Sequence, residues 1–586
     1  MAKVNTLSYP RPQFVRDEWL SLDGTWDFRF EQEDWQTIVV PYVYQSEMSG
    51  INTNRPCDCV AYRRSFTVPP AWKNRRIRLN FGAVDYACDV WVNGCHVGGH
   101  TGGNIGFALD ITDAIGWNTE ELLVKVSDPW NDELIPRGKQ YWIAESDAIW
   151  YKRTTGIWQS VWLEPVDTCC IEQLRFTGDI DRGQVEIDYI CSKEAAGARL
   201  NVDIALDDRL SRQLSLVLTE HAGKMTVDLF ENHIFRSNFH NSGWCWTPES
   251  PTLFDVEVCI ERDGKVCDRV RSYFGMRKVE ARDGRVYLNN KPYYQKLILD
   301  QGYWPQSLMT PPDEEAIRQD ILMAKAMGFN GCRKHQKAED TRFLYWADRL
   351  GYLVWGEIGS CISFSPESAR RLMAEWGEAV MRDYNHPSIV AWVPINESWG
   401  VPNIARDSQH QALALALYYQ CKALDPTRLV VGNDGWEMTR SDICAIHNYR
   451  HGAPDDAQAH ERFEASLSSA ESLISTQPAG RPIYADGWQY DGAPILLTEF
   501  GGISLVNSVE KAWGYTQVNE TDTFVAEYRR ILEAIGRSHA LYGFCYTQLT
   551  DVEQETNGLL TYNRQYKVNP EIIREINDRV AGFDLG

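Results

Sequence analysis

The sequence predicts a multidomain chain of two antiparallel β-sandwiches, a jelly roll and an immunoglobulin-like fold, followed by a C-terminal (β/α)8 TIM barrel. Three observations carry this. Residues 1–165 consist of short alternating strands such as Arg76–Phe81 (RIRLNF) and Asp89–Val92 (DVWV), separated by turn signals such as Asn93-Gly94 and the glycine-rich HVGGHTGGNIG. That spacing is typical of a jelly roll. Residues 166–278 continue as strands, among them Gln184–Ile190, Ala198–Ala205 and Leu253–Ile260, enough for one immunoglobulin-like sandwich. From residue 279 to 586 apolar runs alternate with helical segments. Continuous apolar strands separated by helices make a parallel sheet covered on both faces.

The barrel strands are expected at Lys296–Asp300, Gly328–His335, Tyr352–Glu357, Ile389–Glu397, Leu429–Asp434, Ile443–Tyr449, Ile495–Gly501 and Leu541–Leu549. Helices are expected to open near Pro312-Asp313, to cover Thr341–Leu350 and to end near Tyr384. The segment Ala453–Gly480 is the least regular and is expected to carry a loop. Eight such units fit a TIM barrel, whose active site forms at the C-terminal ends of the strands.

Composition narrows the function classes. The formal net charge of −22 argues against nucleic acid or an anionic membrane as partner. No apolar run approaches the ~18 residues of a membrane span. The N-terminal stretch MAKVNTLSYPRPQF has no apolar signal core, so a cytoplasmic location is expected. The 15 cysteines are odd in number and scattered, which suggests reduced, mostly buried thiols and no disulfide framework. Neither Cys57-Asp-Cys59 nor Cys169-Cys170 has zinc-site spacing. The 22 tryptophans suit both core packing and stacking on sugar rings.

The ends of the predicted strands collect polar residues: Asp300, Arg333, His335, Glu357, Asn396, Glu397, Asp434, His447, Tyr449, Glu499 and Tyr546 to Gln548. Polar groups ending buried strands are costly unless paired or used. Glu397 and Glu499 would face one cavity. Such a pair is what glycosidic cleavage requires, one carboxyl to protonate the leaving oxygen and one to attack the anomeric carbon or activate water. The alternative is that each glutamate only pairs with a neighbour such as Arg333.

The motifs favour the first reading. LDGTWDF (22–28), YRRSFTVP (62–69), VWVNGCHVGGHTGG (90–103), TTGIWQSVWLE (154–164), FGMRKVE (274–280), VYLNNKPYY (286–294), GFNGCRKH (328–335), NHPSIVAWVPINES (385–398) and LLTEFGG (496–502) occur in order. Together they resemble glycoside hydrolase family 2, which includes β-galactosidases, β-glucuronidases and β-mannosidases. The resemblance implies a retaining exo-β-glycosidase with Glu397 as acid/base and Glu499 as nucleophile, their carboxyls ~5–5.5 Å apart. It implies that Asn396 bonds the 2-hydroxyl, Arg333 keeps Glu499 ionised, His335 contacts a hydroxyl and Tyr449 donates to Glu499. On this reading Glu499 also raises the pKa of Glu397. Asp300, Glu357, His447 and Tyr546 are further candidate sugar contacts, and Trp399 and Trp488 candidate stacking platforms; each also has a purely structural reading.

Three departures bear on specificity. The Asn-x-Lys motif that binds a uronate carboxylate in β-glucuronidases is Asn557-Gly558-Leu559 here, leaving Lys567 or Arg564 as substitutes. The Glu-x-His magnesium motif of large β-galactosidases is Glu357-Ile358-Gly359, so no metal and no cofactor are expected. Trp150 or Tyr151 occupies the region where some members place a sugar-binding Asp. The sequence therefore points to a glycoside or oligosaccharide substrate, with β-galactosidase-type activity first. β-Mannosidase, β-glucosidase, α-L-arabinopyranosidase and uronidase specificities are alternatives, as is a non-catalytic carbohydrate-binding protein. A homo-oligomer is left open.

Overall fold

The computed structural model describes residues 9–143, 145–207, 210–229, 243–506 and 512–580. The first sandwich pairs a six-stranded sheet with a four-stranded one, both antiparallel. Of its central strands Cys59–Phe66 and Glu120–Ser127, the second alternates in burial, and the inward residues of both, Tyr62 among them, fill one apolar core with Trp26 and Phe28. The second sandwich packs the three-stranded sheet of Ile171–Asp179, Gln184–Cys191 and Ala222–Asp228 on four strands ending with Phe254–Arg262 and Lys265–Phe274.

The barrel strands are β1 (Gln295–Asp300), β2 (Gly331–Lys334), β3 (Leu353–Glu357), β4 (Ile389–Val393), β5 (Leu429–Val430), β6 (Cys444–His447), β7 (Ile495–Gly501) and β8 (Leu541–Thr547). All eight are parallel, in the order β5-β4-β3-β2-β1-β8-β7-β6. A parallel bridge between Gly435 and Ile446 closes the ring between β5 and β6. Alternation along the strands separates two cores. Leu297, Leu299, Trp355, Ala391, Val393, Leu496 and Cys545 fill the interior. Ile298, Cys332, Val354, Trp392, Leu497, Phe544 and Tyr546 pack against the surrounding helices.

Helix starts follow local chemistry. Asp313 caps Glu314–Ala326, Asp340 caps Thr341–Leu350, and Ser365 with Ser368 forms a capping box for Pro366–Asp383. The stretch Ala453–Gly480, expected as a loop, contains two short helices, Ala457–Ser466 and Ala470–Ser475, each capped by the residue before it. They show no long apolar period because each buries only one or two residues. All 15 cysteines are free thiols.

The first sandwich is clamped onto the barrel rim. Gly138 N–H donates to Ser360 O, and Asn104 donates to Glu375 from both its backbone and its side chain. At Gly138 (φ +59°) a Cβ would lie 2.3 Å from Gln336 O, so only glycine admits this approach. Residues 133–143 and 145–151 of the sandwich thereby lie over the barrel rim.

Candidate active site

Glu499 sits inside β7, where the strand pairing is irregular between Leu497 and Phe500, and its carboxylate meets Arg333 and Tyr449 at the barrel mouth. Glu397 lies four residues beyond the regular end of β4, not at the end of a continuous strand. Its backbone takes φ +52° and that of Ser398 φ +60°. This left-handed pair costs about 1–3 kcal/mol per residue and persists only where the surroundings hold it. Here Glu397 N–H donates to Asp434 O, Ser398 N–H to the Asn433 side chain, and Ser398 Oγ to Glu437.

The centre of the site is Arg333, at the end of β2 and wholly buried. Its guanidinium donates to Glu357 Oε1 (2.8 Å), Glu499 Oε1 (3.0 Å) and Asn396 Oδ1 (3.0 Å), and pairs with Asp434 Oδ2 at 2.9 Å. Burial opposes its charge, but Asp434, Glu357 and Glu499 outweigh it and hold Arg333 cationic. The planar fork thus fixes three carboxylates and one amide in register. Asp434 is driven down to about 2 against its burial, by Arg333 and then His447. Tyr449 O–H donates to Glu499 Oε2 (2.7 Å), contacts Thr547 Oγ1 at 2.9 Å, and stacks on Tyr515 at 3.5 Å. Burial and Glu499 push its phenol well above the ordinary value, which keeps it a donor. His335 lies 3.3 Å from both Glu357 Oε2 and Arg333.

His447 bridges the two glutamates. Its Nδ1 is 2.9 Å from Glu397 Oε1 and 3.4 Å from Glu499 Oε2, and its Nε2 is 3.2 Å from Asp434. Burial lowers its pKa, but Glu499 and Asp434 overcome this and raise it to about 10. The facing atoms of Glu397, His447 and Glu499 all lie within 4.8 Å of one another. That donor set has the composition of a metal site, and with the pKa of His447 raised a metal would have to displace its proton to bind there. The cationic His447 also corrects the expectation for Glu397. Burial raises the pKa of Glu397, but the His447 hydrogen bond and charge, then Lys139 and His335, bring it below the ordinary value.

The structure thus brings together Glu397, Glu499, Asn396, Arg333, His335, Glu357, His447 and Tyr449. Trp399 joins them at the rim, edge-on to Trp150 of the sandwich loop at 4.9 Å. Three candidates are placed elsewhere. Asp300 follows interior-facing Leu299 and so points outward, paired with Lys334 at 2.9 Å within a buried cluster that includes Glu339. Tyr546 likewise points outward against Phe500 and Tyr528, and it is Thr547 that faces the site. Trp488 donates to Gln411 beside the helix Ser408–Leu424, and among the described residues no contact joins it to the glutamates. The substitutes for a uronate-binding lysine are also engaged: Lys567 with Asp551 at 2.6 Å and Arg564 with Asp320 at 3.1 Å.

Sequence reasoning assigned no role to Asp434, Thr547 or Lys139. Strand parity separates Thr547 from Tyr546 once Cys545 is known to face inward. Lys139 gave no signal, because only the tertiary fold brings its loop over the barrel.

Comparison with known proteins agrees with this architecture. Residues 279–581 match the TIM barrel domain of glycosyl hydrolases family 2, residues 18–165 match that family's sugar binding domain, and residues 170–277 match a further glycosyl hydrolases family 2 domain. The chain belongs to glycosyl hydrolases family 2. It is 25% identical over 381 residues to a putative beta-glucuronidase of Formosa agariphila, covering 63% of this chain and 44% of that protein. It is also 25% identical over 394 residues to a beta-galactosidase of Thermoanaerobacter pseudethanolicus, covering 65% and 51%. The chain thus spans about half the length of these curated relatives. The beta-D-glucuronidase structure from Dictyoglomus thermophilum shares the fold, with TM-score 0.78 and 19% identity over 97% of this chain and 98% of that one.

Proposed function

We propose that the protein is a retaining exo-β-glycosidase that cleaves a terminal β-linked sugar by double displacement. The observation that carries this is the approach of Glu397 and Glu499, whose facing atoms lie within 4.8 Å. Two carboxyls ~5–5.5 Å apart leave no room for a water between them and the sugar, so one must attack directly. Glu499 is the nucleophile: Arg333 and Tyr449 each donate to one of its oxygens, which holds the carboxylate in place. Glu397 is the acid/base. The proton it must deliver is held by the adjacent His447, 2.9 Å away, and passes to Glu397 as negative charge develops on the leaving oxygen. When Glu499 becomes a neutral glycosyl ester, Glu397 is left as the base that activates water.

The sugar has two readings. Lys567 and Arg564 are both paired with carboxylates, which favours a neutral sugar such as a β-galactoside. The ammonium of Lys139, which among the described residues faces the rings of Trp150 and Tyr151 and no carboxylate, favours a uronide. The test is hydrolysis of nitrophenyl β-galactoside, β-glucoside, β-mannoside, β-glucuronide, β-galacturonide and α-L-arabinopyranoside. Activity on one class is expected, with Glu499→Gln lowering kcat by roughly 10⁴-fold or more. Wild-type-like turnover in Glu499→Gln would contradict the reading.

A further inference from the structure

Lys139 comes from the first sandwich, yet its charge acts on Glu397 in the barrel. Its residue is only 6% exposed. Among the described residues its ammonium makes no hydrogen bond and no ion pair; its neighbours are the faces of Trp150 at 5.6 Å and Tyr151 at 5.7 Å. Trp150 in turn meets the edge of Trp399, two residues after Glu397. Buried ammonium groups are normally paired, because desolvation without a partner is expensive.

The position of Lys139 is fixed from both sides. Gly138 is pressed against Gln336 and Gly359 of the barrel loops. Lys139 O accepts from Tyr151 N–H, and the Gln140 side chain accepts from Thr154 N–H while donating to Asp85. A lysine held this firmly, with aromatic faces beside it at the barrel rim, is preorganised for an anion that arrives with the substrate.

We infer that Lys139 is a specificity-determining residue whose ammonium pairs with a carboxylate carried by the substrate, on the terminal sugar or on the group next to it. The inference rests on the glycosidase reading of the same site, and binding separates the two. Calorimetric titration of the full chain with glucuronate and galacturonate, against glucose and galactose, needs no turnover. The sugar acids are expected to bind at least about 10-fold more tightly, and Lys139→Met to remove most of that difference, as for a charge-assisted hydrogen bond. Lys139→Arg is expected to restore part of it.

A carboxyphenyl β-galactoside compared with its uncharged phenyl counterpart tests the neighbouring group as the source. Preference for either acid over its neutral partner, lost in Lys139→Met, supports the inference. Absence of any such preference in the wild-type protein overturns it, as does an equal loss for acid and neutral partners in Lys139→Met. If Lys139→Met does not fold, Lys139→Gln takes its place and the wild-type comparison still decides. Sugar acids that bind to a protein that hydrolyses none of the nitrophenyl glycosides would instead contradict the glycosidase reading alone.

Discussion

At the residue scale the site depends on one cation serving several anions. Arg333 fixes Glu499, Glu357, Asp434 and Asn396 together, so its replacement would leave buried carboxylates uncompensated. His447 adds a device that sequence reasoning treated as one candidate contact among several. Because its pKa is raised to about 10, the His447–Glu397 pair retains its last proton until the pH approaches that value. The account therefore predicts that the alkaline limb of kcat/KM extends well above neutrality. In His447→Asn the proton must reside on Glu397 alone, so the limb moves to lower pH. An unchanged or higher limb in that variant would show that His447 does not store the proton.

The same scale explains what was legible in the sequence. Residues facing the barrel interior were found because they end apolar runs, as Arg333, Glu357 and Glu499 do. Asp300 and Tyr546 end such runs too, but they have the opposite parity. A two-residue period cannot be phased from sequence until one inward residue is known.

At the scale of elements, β5 spans only Leu429–Val430 and is completed by bridges at Asp434 and Gly435. The apolar run predicted the element correctly and overestimated its regular length. Glu397 is displayed by a left-handed turn after β4, a feature that no hydrophobic pattern encodes. The sandwich loop gives the testable element. Gly138→Val would force a side chain into Gln336 O and also strain a positive φ, separating the loop from the rim. A loss of roughly 1–3 kcal/mol is expected, together with a higher KM as Lys139 and Trp150 shift. Thermal unfolding and steady-state kinetics on the best substrate check both. A lower stability with unchanged KM would remove the loop from the substrate pocket.

At the scale of the whole molecule, the three folded regions share buried polar hubs. Arg16 pairs with Glu164 of the first sandwich at 3.0 Å and with Asp268 of the second at 2.9 Å. Asp348 of the barrel accepts from Tyr273 at 2.8 Å, while its carbonyl accepts from Trp246. Such junctions couple the regions energetically. Calorimetry is predicted to show one cooperative unfolding transition, and resolved separate transitions would contradict that coupling. The order of the folds was legible because alternating strands with turn signals fill the first two regions and strands alternating with helices fill the third. Their mutual placement was not, since it depends on contacts between residues hundreds of positions apart, such as Asn104 with Glu375.

The central claim is that Glu499 forms a covalent bond to the sugar while Glu397 handles the proton. The most direct measurement is mass spectrometry of the protein after incubation with activated 2-deoxy-2-fluoro β-glycosides of the sugar it prefers. The account predicts a mass increase of one fluoro-sugar, mapped to the peptide that contains Glu499. Rapid turnover with an inverted product and no adduct, or an adduct on any other residue, would contradict it.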